Sequence, residues 1–230
     1  MTALELRNVT VTRGAGPVIR DVSLTVEPGT ITALVGPNGA GKTSLLEAIS
    51  GVVAASDGTI LMRGAPINKL SRVRRTKLGL AHIEQGRAVF PGLTVAENLR
   101  LTARDASEFE RAMEVFPELD KRRDSPAALL SGGEQQMVVL ARAFAAKPEF
   151  LLIDEMSLGL APVVFTRLLP IVRRFAEDGA GILLVEQFTH LALGLAQHAL
   201  VVASGKVTYQ GDAQALINAP DLLHSAYLGG

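Results

Sequence analysis

The sequence predicts an α/β fold with a mainly parallel core sheet, an antiparallel β subdomain and an inserted α-helical subdomain. Three observations predict it: a glycine-rich loop between a short β-branched run and a helix, a series of short apolar runs separated by helical stretches, and a change of composition from Thr94 onward. Parallel strands covered on both faces read as continuous apolar runs, and the crossovers between them need helices.

Leu4 to Val11 and Val18 to Val26 alternate apolar and polar residues, with Gly14-Ala15-Gly16-Pro17 as a turn between them and Glu27-Pro28-Gly29 closing the second. This predicts an antiparallel opening. Thr30 to Val35 is the β-branched run, and Lys42 to Ser50 reads as a helix stopped by Gly51. Further buried strands are expected at Gly79 to Glu84, Phe150 to Ile153, Ile182 to Val185 and Ala199 to Ala203. From Thr94 to about Leu129 charge increases, Phe109 to Phe116 has helical spacing, and Pro117 and Pro126 act as breaks. With a helix from Ser131 to about Ala145, the helical subdomain spans about 94–145, inserted in a single domain over 1–230. Two short helices are expected from near Asp212 and Pro220.

A chain of 230 residues can bury one sizeable α/β core. Lys plus Arg and Asp plus Glu are both 23, so no general attraction to nucleic acid is implied, and none is expected as a partner. The absence of Cys removes disulfides, thiolate catalysis and Cys-ligated zinc, and fits the cytosol. Met1 to Asn8 lacks the pattern of a secretory leader, and nowhere do about 18 apolar residues follow one another as a membrane span requires. His82, His190, His198 and His224 show no metal-ligand spacing, and the basic run Arg72 to Lys77 reads as a solvated helix face.

Gly36-Pro37-Asn38-Gly39-Ala40-Gly41-Lys42-Thr43 fits the phosphate-loop pattern, and Ser44 follows it. Small residues let backbone N–H groups turn inward around a phosphate, and the helix that starts there adds positive potential. Lys42 is then placed for the β/γ-phosphates, and the Thr43 hydroxyl for a magnesium ion. Phe150 to Ile153 ends in Asp154-Glu155, an apolar strand that delivers Asp154 to a metal's water shell and Glu155 toward an attacking water. In Leu130-Ser131-Gly132-Gly133-Glu134-Gln135-Gln136, Ser131 can cap a helix whose two glycines bare the backbone N–H groups, making a second anion site. If both sites serve one nucleotide, two chains facing head to tail would each close the other's pocket.

These stretches resemble a known family. Gly36 to Thr43 resembles the Walker A motif, Leu130 to Gln135 the LSGGQ-type signature and Leu152 to Glu155 the Walker B motif of ABC ATPases, in the family's order and spacing, and the resemblance covers essentially the whole chain. The resemblance implies a P-loop NTPase fold, the ABC cassette with a RecA-like core. It also implies ATP and Mg²⁺ as ligands, with the nucleotide held by Gly36 to Ser44 and by Ser131 to Glu134, and Lys42, Glu155 and Gln187 in catalysis. Gln85 then stands at the Q-loop, contacting the metal beside Thr43 and Asp154, and Ser157 to Pro162 at the D-loop, which crosses the dimer seam. A finer likeness, to LivF-type ATP-binding subunits of branched-chain amino acid importers, rests on Gly86-Arg87, Phe90 to Leu99, Ser131 to Met137, Ser157 to Pro162, Val185-Glu186-Gln187 and the stretch Ser225 to Gly230. It implies a second cassette, two transmembrane permease subunits and, indirectly, a solute-binding protein. The chain would then sit at the cytoplasmic face of the plasma membrane. Urea or short amides are an alternative cargo, and a regulatory cassette with little turnover an alternative role.

Four positions depart from the common pattern. Gln187 stands where most ABC ATPases carry a switch histidine, and an amide can donate to a γ-phosphate oxygen but cannot relay a proton. Arg13 lies about where many cassettes place an aromatic under the adenine, and its guanidinium could stack there or stay exposed at the turn. Gln85 replaces the Glu usual in LivF-type chains, and Met156 follows Glu155 where Pro is common. The apolar stretch Ala88 to Leu93 is the candidate docking surface for the permease.

Overall fold

The computed structural model describes residues 3–14, 16–86 and 88–229. β1 (Leu4–Arg13) pairs antiparallel with β2 (Gly16–Val26), and Arg13 lies opposite Gly16, so Gly16 and Pro17 belong to the strand rather than to the expected turn. Ala15 lies outside the described residues. β3 (Ile31–Val35) and α1 (Lys42–Ser50) stand where the sequence predicts them, and Gly51 ends α1 with a left-handed φ of 82°.

β4 (Asp57–Met62) then returns to the free edge of β1, and the two-residue β5 (Ala65–Pro66) pairs with it. Neither is marked in the sequence, because Asp57-Gly58-Thr59-Ile60-Leu61-Met62 has no alternation and its pairing is long-range. α2 (Arg72–Lys77) and β6 (Leu80–Ile83) complete the first half. The basic run is exposed as expected except at Arg75. Arg75 is buried, and its Nη1 donates to the carbonyls of Ala48 and Ile49 at 2.7 Å each, satisfying the end of α1.

The insert consists of α3 (Val95–Arg100), α4 (Ala106–Val115), the single turn α5 (Pro117–Asp120) and α6 (Gly132–Ala145). Thr94 and Glu97 form a capping box on α3, and Asp105 caps α4. Behind it lie β7 (Phe150–Asp154), α7 (Pro162–Glu177), β8 (Gly181–Val185) and α8 (Thr189–Leu195). β9 (His198–Ala203), β10 (Lys206–Asp212), α9 (Ala213–Asn218) and α10 (Pro220–Leu228) close the described chain.

Two sheets result, β2-β1-β4-β5 and β10-β9-β3-β8-β7-β6. In the second, β9, β3, β8, β7 and β6 run parallel and β10 turns back antiparallel. Every residue of β3, β7 and β8 is buried. Alternate residues feed two cores: Ala33, Ile153 and Leu184 face the helical insert and α7, while Leu34, Leu152 and Leu183 face α1 and the antiparallel sheet. The core sheet is thus held from both sides, and its strand ends are rigid mounting points.

Candidate functional site

The register aligns Leu34 and Asp154 on either side of Val185, and Ile83 with Ile153. The segments leaving β3, β7, β8 and β6 therefore emerge side by side at one edge of the sheet, the carboxyl edge at which open α/β sheets form their sites.

The segment after β3 is the phosphate loop, and two of its glycines are required. A Cβ on Gly36 (φ 147°) would lie 2.0 Å from the Val202 carbonyl oxygen, and one on Gly41 (φ 100°) 2.5 Å from that of Val18. α1 starts at Gly41 with no side-chain cap and no acid in its first turn. Its positive end is therefore directed into the cleft. Lys42 Nζ donates to the carbonyls of Gly36 at 2.8 Å and Pro37 at 2.9 Å, which folds the ammonium over the loop. Burial lowers the pKa of Lys42, and the charges of Glu155 and Asp154 raise it. The loop lines a cleft of about 360 Å³ together with Val18, Gln85, Glu155 and Gln187.

Asp154 is buried at the end of β7, and its Oδ1 has no hydrogen-bond partner. Burial pushes its carboxyl up to about 6, opposed by the Thr43 hydroxyl that bonds it and assisted by the neighbouring charges of Glu155 and Glu47. An orphaned carboxylate oxygen beside a hydroxyl is a donor set suited to a hard divalent cation. Thr43 and Asp154 thus fit Mg²⁺.

Glu155 takes a left-handed φ of 47°, and its N–H donates to the Val185 carbonyl at 2.9 Å. Such a backbone costs about 1–3 kcal/mol and persists where its surroundings impose it. Two amides converge on one oxygen: Gln85 Nε2 and Gln187 Nε2 each donate to Glu155 Oε2 at 3.0 Å. Gln85, expected at the metal, is here engaged by the carboxylate, as is Gln187, expected at the γ-phosphate.

Ser131 and Glu134 form a complete capping box on α6. Ser131 Oγ accepts from Glu134 N at 3.3 Å, and Glu134 Oε2 accepts from Ser131 N at 2.8 Å. These bonds hold the Glu134 carboxyl below its ordinary range, and Arg122 pairs with it. Glu134 is thus an acceptor already in use, and the helix end offers an anion the backbone of Gly132 and Gly133. Gly133 packs on Val164, whose Cγ1 would lie 2.7 Å from an added Cβ. The cleft here, about 490 Å³, is lined by Ser131 to Glu134 with residues of the 159–167 stretch, and it shares no residue with the phosphate-loop cleft.

Arg13 is not brought to the phosphate cleft; its guanidinium is paired with Glu47 on α1. Val18 lines the cleft instead, and its signal was an apolar residue on the otherwise polar face of β2. Arg87, quoted for the LivF-type likeness, lies outside the described residues, as does Gly230.

Glu186, also missed, is buried directly after β8 and accepts from Ser157, whose hydroxyl bonds its Oε2 and whose N–H reaches its Oε1 at 3.3 Å. An acid closing an apolar strand, as at Asp154, was the available signal. Burial pushes the Glu186 carboxyl up to about 7, against the Ser157 and Gln187 hydrogen bonds and with the help of Glu155. An unfolded carboxyl of ordinary pKa 4.5 loses its proton first, so the folded chain binds more protons between about 4.5 and 7. The protonated carboxyl's contribution to stability is therefore lost as pH rises through that window. Denaturant unfolding at pH 5 and pH 8 is expected to show Glu186→Gln gaining about 2–3 kcal/mol on the wild type between the two. A difference independent of pH would contradict this.

The ABC transporter family model matches residues 19–157. The chain belongs to the ABC transporter family. It is 36% identical to the high-affinity branched-chain amino acid transport ATP-binding protein BraG of Pseudomonas aeruginosa, over 99% of this chain and 100% of that one. It is 32% identical to the lipopolysaccharide export system ATP-binding protein LptB of Escherichia coli, over 100% of this chain and 98% of that one. Its fold matches that of an ATP-binding cassette of an ABC transporter in the ADP conformation, with a TM-score of 0.87 at 23% identity and full coverage of both chains. The cassette is an ATPase of this family, with the expected P-loop α/β fold. Among the described residues no helix is long and apolar enough to cross a membrane.

Proposed function

We propose that the cassette powers an importer of branched-chain amino acids, working head to tail with a second cassette beneath two permease subunits that a solute-binding protein supplies. The likeness to BraG carries this reading, because it extends over nearly the whole of both chains and exceeds that to LptB. In the reaction, Lys42 leaves the Gly36 and Pro37 carbonyls for the β/γ-phosphates, and the phosphate-loop N–H groups bind the β-phosphate. Thr43 and Asp154 hold the magnesium ion, which neutralises phosphate charge when bound. Gln85 and Gln187 fix Oε2 of Glu155, so that Oε1 meets the attacking water and takes its proton. The charge that develops on the transferring phosphoryl group is met by Lys42 and by Gly132 and Gly133 of the second cassette. Ala88 to Leu93 is the surface proposed for the permease: Phe90 is 48% exposed there, while Asn98 and Arg142 pin the loop through the carbonyls of Phe90 and Ala88.

Two clefts without a common residue support composite sites. ATPase activity per cassette is expected to climb with protein concentration, and Ser131→Arg to lower it by at least about tenfold. A rate independent of concentration and unaffected by Ser131→Arg would remove the composite site. For the cargo, ATP-driven uptake of labelled leucine into vesicles carrying the cassette with its permease subunits is the test; transport of urea alone would replace the amino acid reading.

A further inference from the structure

Gln187 is exposed, and it sits in a short connection between β8 and α8 that has no capping side chain of its own. Yet its amide is aimed at Glu155 Oε2. The residues around it are each held by a different element. Glu186 is bonded to Ser157, the Phe188 ring packs on Phe165 of α7 with centroids 5.5 Å apart, and the Thr189 hydroxyl bonds the Tyr227 hydroxyl of α10 at 2.9 Å.

The last of these anchors comes from far along the chain. α10 is itself tied to the core sheet, because Thr208 Oγ1 donates to the Ala226 carbonyl at 2.7 Å and Ala226 is buried. Tyr227 also lines, with Pro37, Asn38, Glu155, Gln187 and Thr189, a cleft of about 330 Å³ beside the phosphate loop. The Thr189 N–H donates to the Gln187 carbonyl at 2.9 Å, so the position of Thr189 is passed directly to the backbone of Gln187.

We propose that Tyr227 is a positioning residue for ATP hydrolysis, its hydroxyl fixing Thr189 so that Gln187 stays on the Glu155 carboxylate. The proposal rests on the assignment of Glu155 as the group that takes the water's proton. Without the hydroxyl the connection rotates more freely, Gln187 leaves Oε2, and one of the two donors that orient the carboxylate is lost. Neither Thr189 nor Tyr227 lines the cleft formed by Gly39 and Gly41 to Ser44, so nucleotide binding is expected to persist.

The test uses the full chain with Tyr227→Phe, Thr189→Val, their double variant and Thr189→Ser, measuring turnover and KM for ATP together with amide exchange over residues 186–195. Tyr227→Phe and Thr189→Val are each expected to lower kcat about tenfold with KM within about twofold, since misplacing a group that orients the base acts on the chemical step. The double variant should be no worse than either single, Thr189→Ser should keep turnover within about twofold of wild type, and exchange over 186–195 should quicken in Tyr227→Phe. The proposal is overturned by turnover within about twofold in Tyr227→Phe, by losses that multiply in the double variant, or by unchanged exchange over 186–195. Exchange also separates it from the reading it rests on. If Glu155→Gln keeps its turnover, the base assignment fails, whereas the latch is judged by Tyr227→Phe exchange even where the chain alone turns over too slowly to measure.

Discussion

Glu155→Gln is expected to lower ATP turnover by about 10²–10⁴-fold while nucleotide affinity stays within a few-fold, because the loss of a positioned proton acceptor falls on the chemical step. The geometry makes the substitution a clean test. The strained φ of 47° is anchored through the backbone N–H to Val185, so a side chain of the same size keeps its place. Its charge goes, one carboxylate oxygen becomes an NH2 donor, and Gln85 and Gln187 are left at most a neutral carbonyl oxygen to converge on. Steady-state ATPase assays with a parallel nucleotide titration measure both quantities. Loss of less than tenfold would remove Glu155 from the role assigned to it.

Gly36→Ala is the second large effect. A methyl 2.0 Å from the Val202 carbonyl cannot be accommodated by a side-chain rotation, since the obstacle is the backbone of a central strand, and a φ of 147° is itself almost confined to glycine. The loop or β9 must shift, at a cost of about 3 kcal/mol or more, which lowers the melting midpoint of a chain this size by roughly 6–12 °C. Nucleotide binding should be lost with it. Gly39→Ala is the control: φ is 78° but no atom lies within 4 Å of its Cβ, so only the conformational cost of about 1–2 kcal/mol applies. A Gly36→Ala variant that melts with the wild type and binds ATP would show that the loop does not depend on this approach.

What was legible in the sequence is what is encoded locally. The phosphate loop, the acid pair at the end of β7 and the Ser131 cap each lie within a few consecutive residues, and all five parallel strands were predicted as buried runs. β4 escaped because its partner β1 is about 50 residues away and its own pattern carries no period. Arg75 escaped for a similar reason. In the sequence it is one of several adjacent basic residues, and only the arrival of the end of α1 makes it an interior donor. At the site, the sequence placed Gln85, Glu155 and Gln187 as separate functional positions. Their convergence on one carboxylate oxygen depends on the order β8-β7-β6 in the sheet, which no stretch of residues states. Arg13 was placed by likeness to a family position, and the pairing with Glu47 is a contact between β1 and α1 that such likeness does not carry.

α6 joins two distant places on the molecule. Its first residues, Gly132 and Gly133, line the second cleft, and near its other end Arg142 holds the Ala88 carbonyl and stacks on Phe90 at 4.9 Å. A helix of 14 residues is a stiff rod of about 21 Å. A tilt of about 10° imposed where the glycines close on a phosphate therefore sweeps the far end through roughly 4 Å, about the width of a methyl group, given the rod's length. The helix that carries Gly132 and Gly133 at one tip is a lever arm at the other, and the loop that carries Phe90 rides on it.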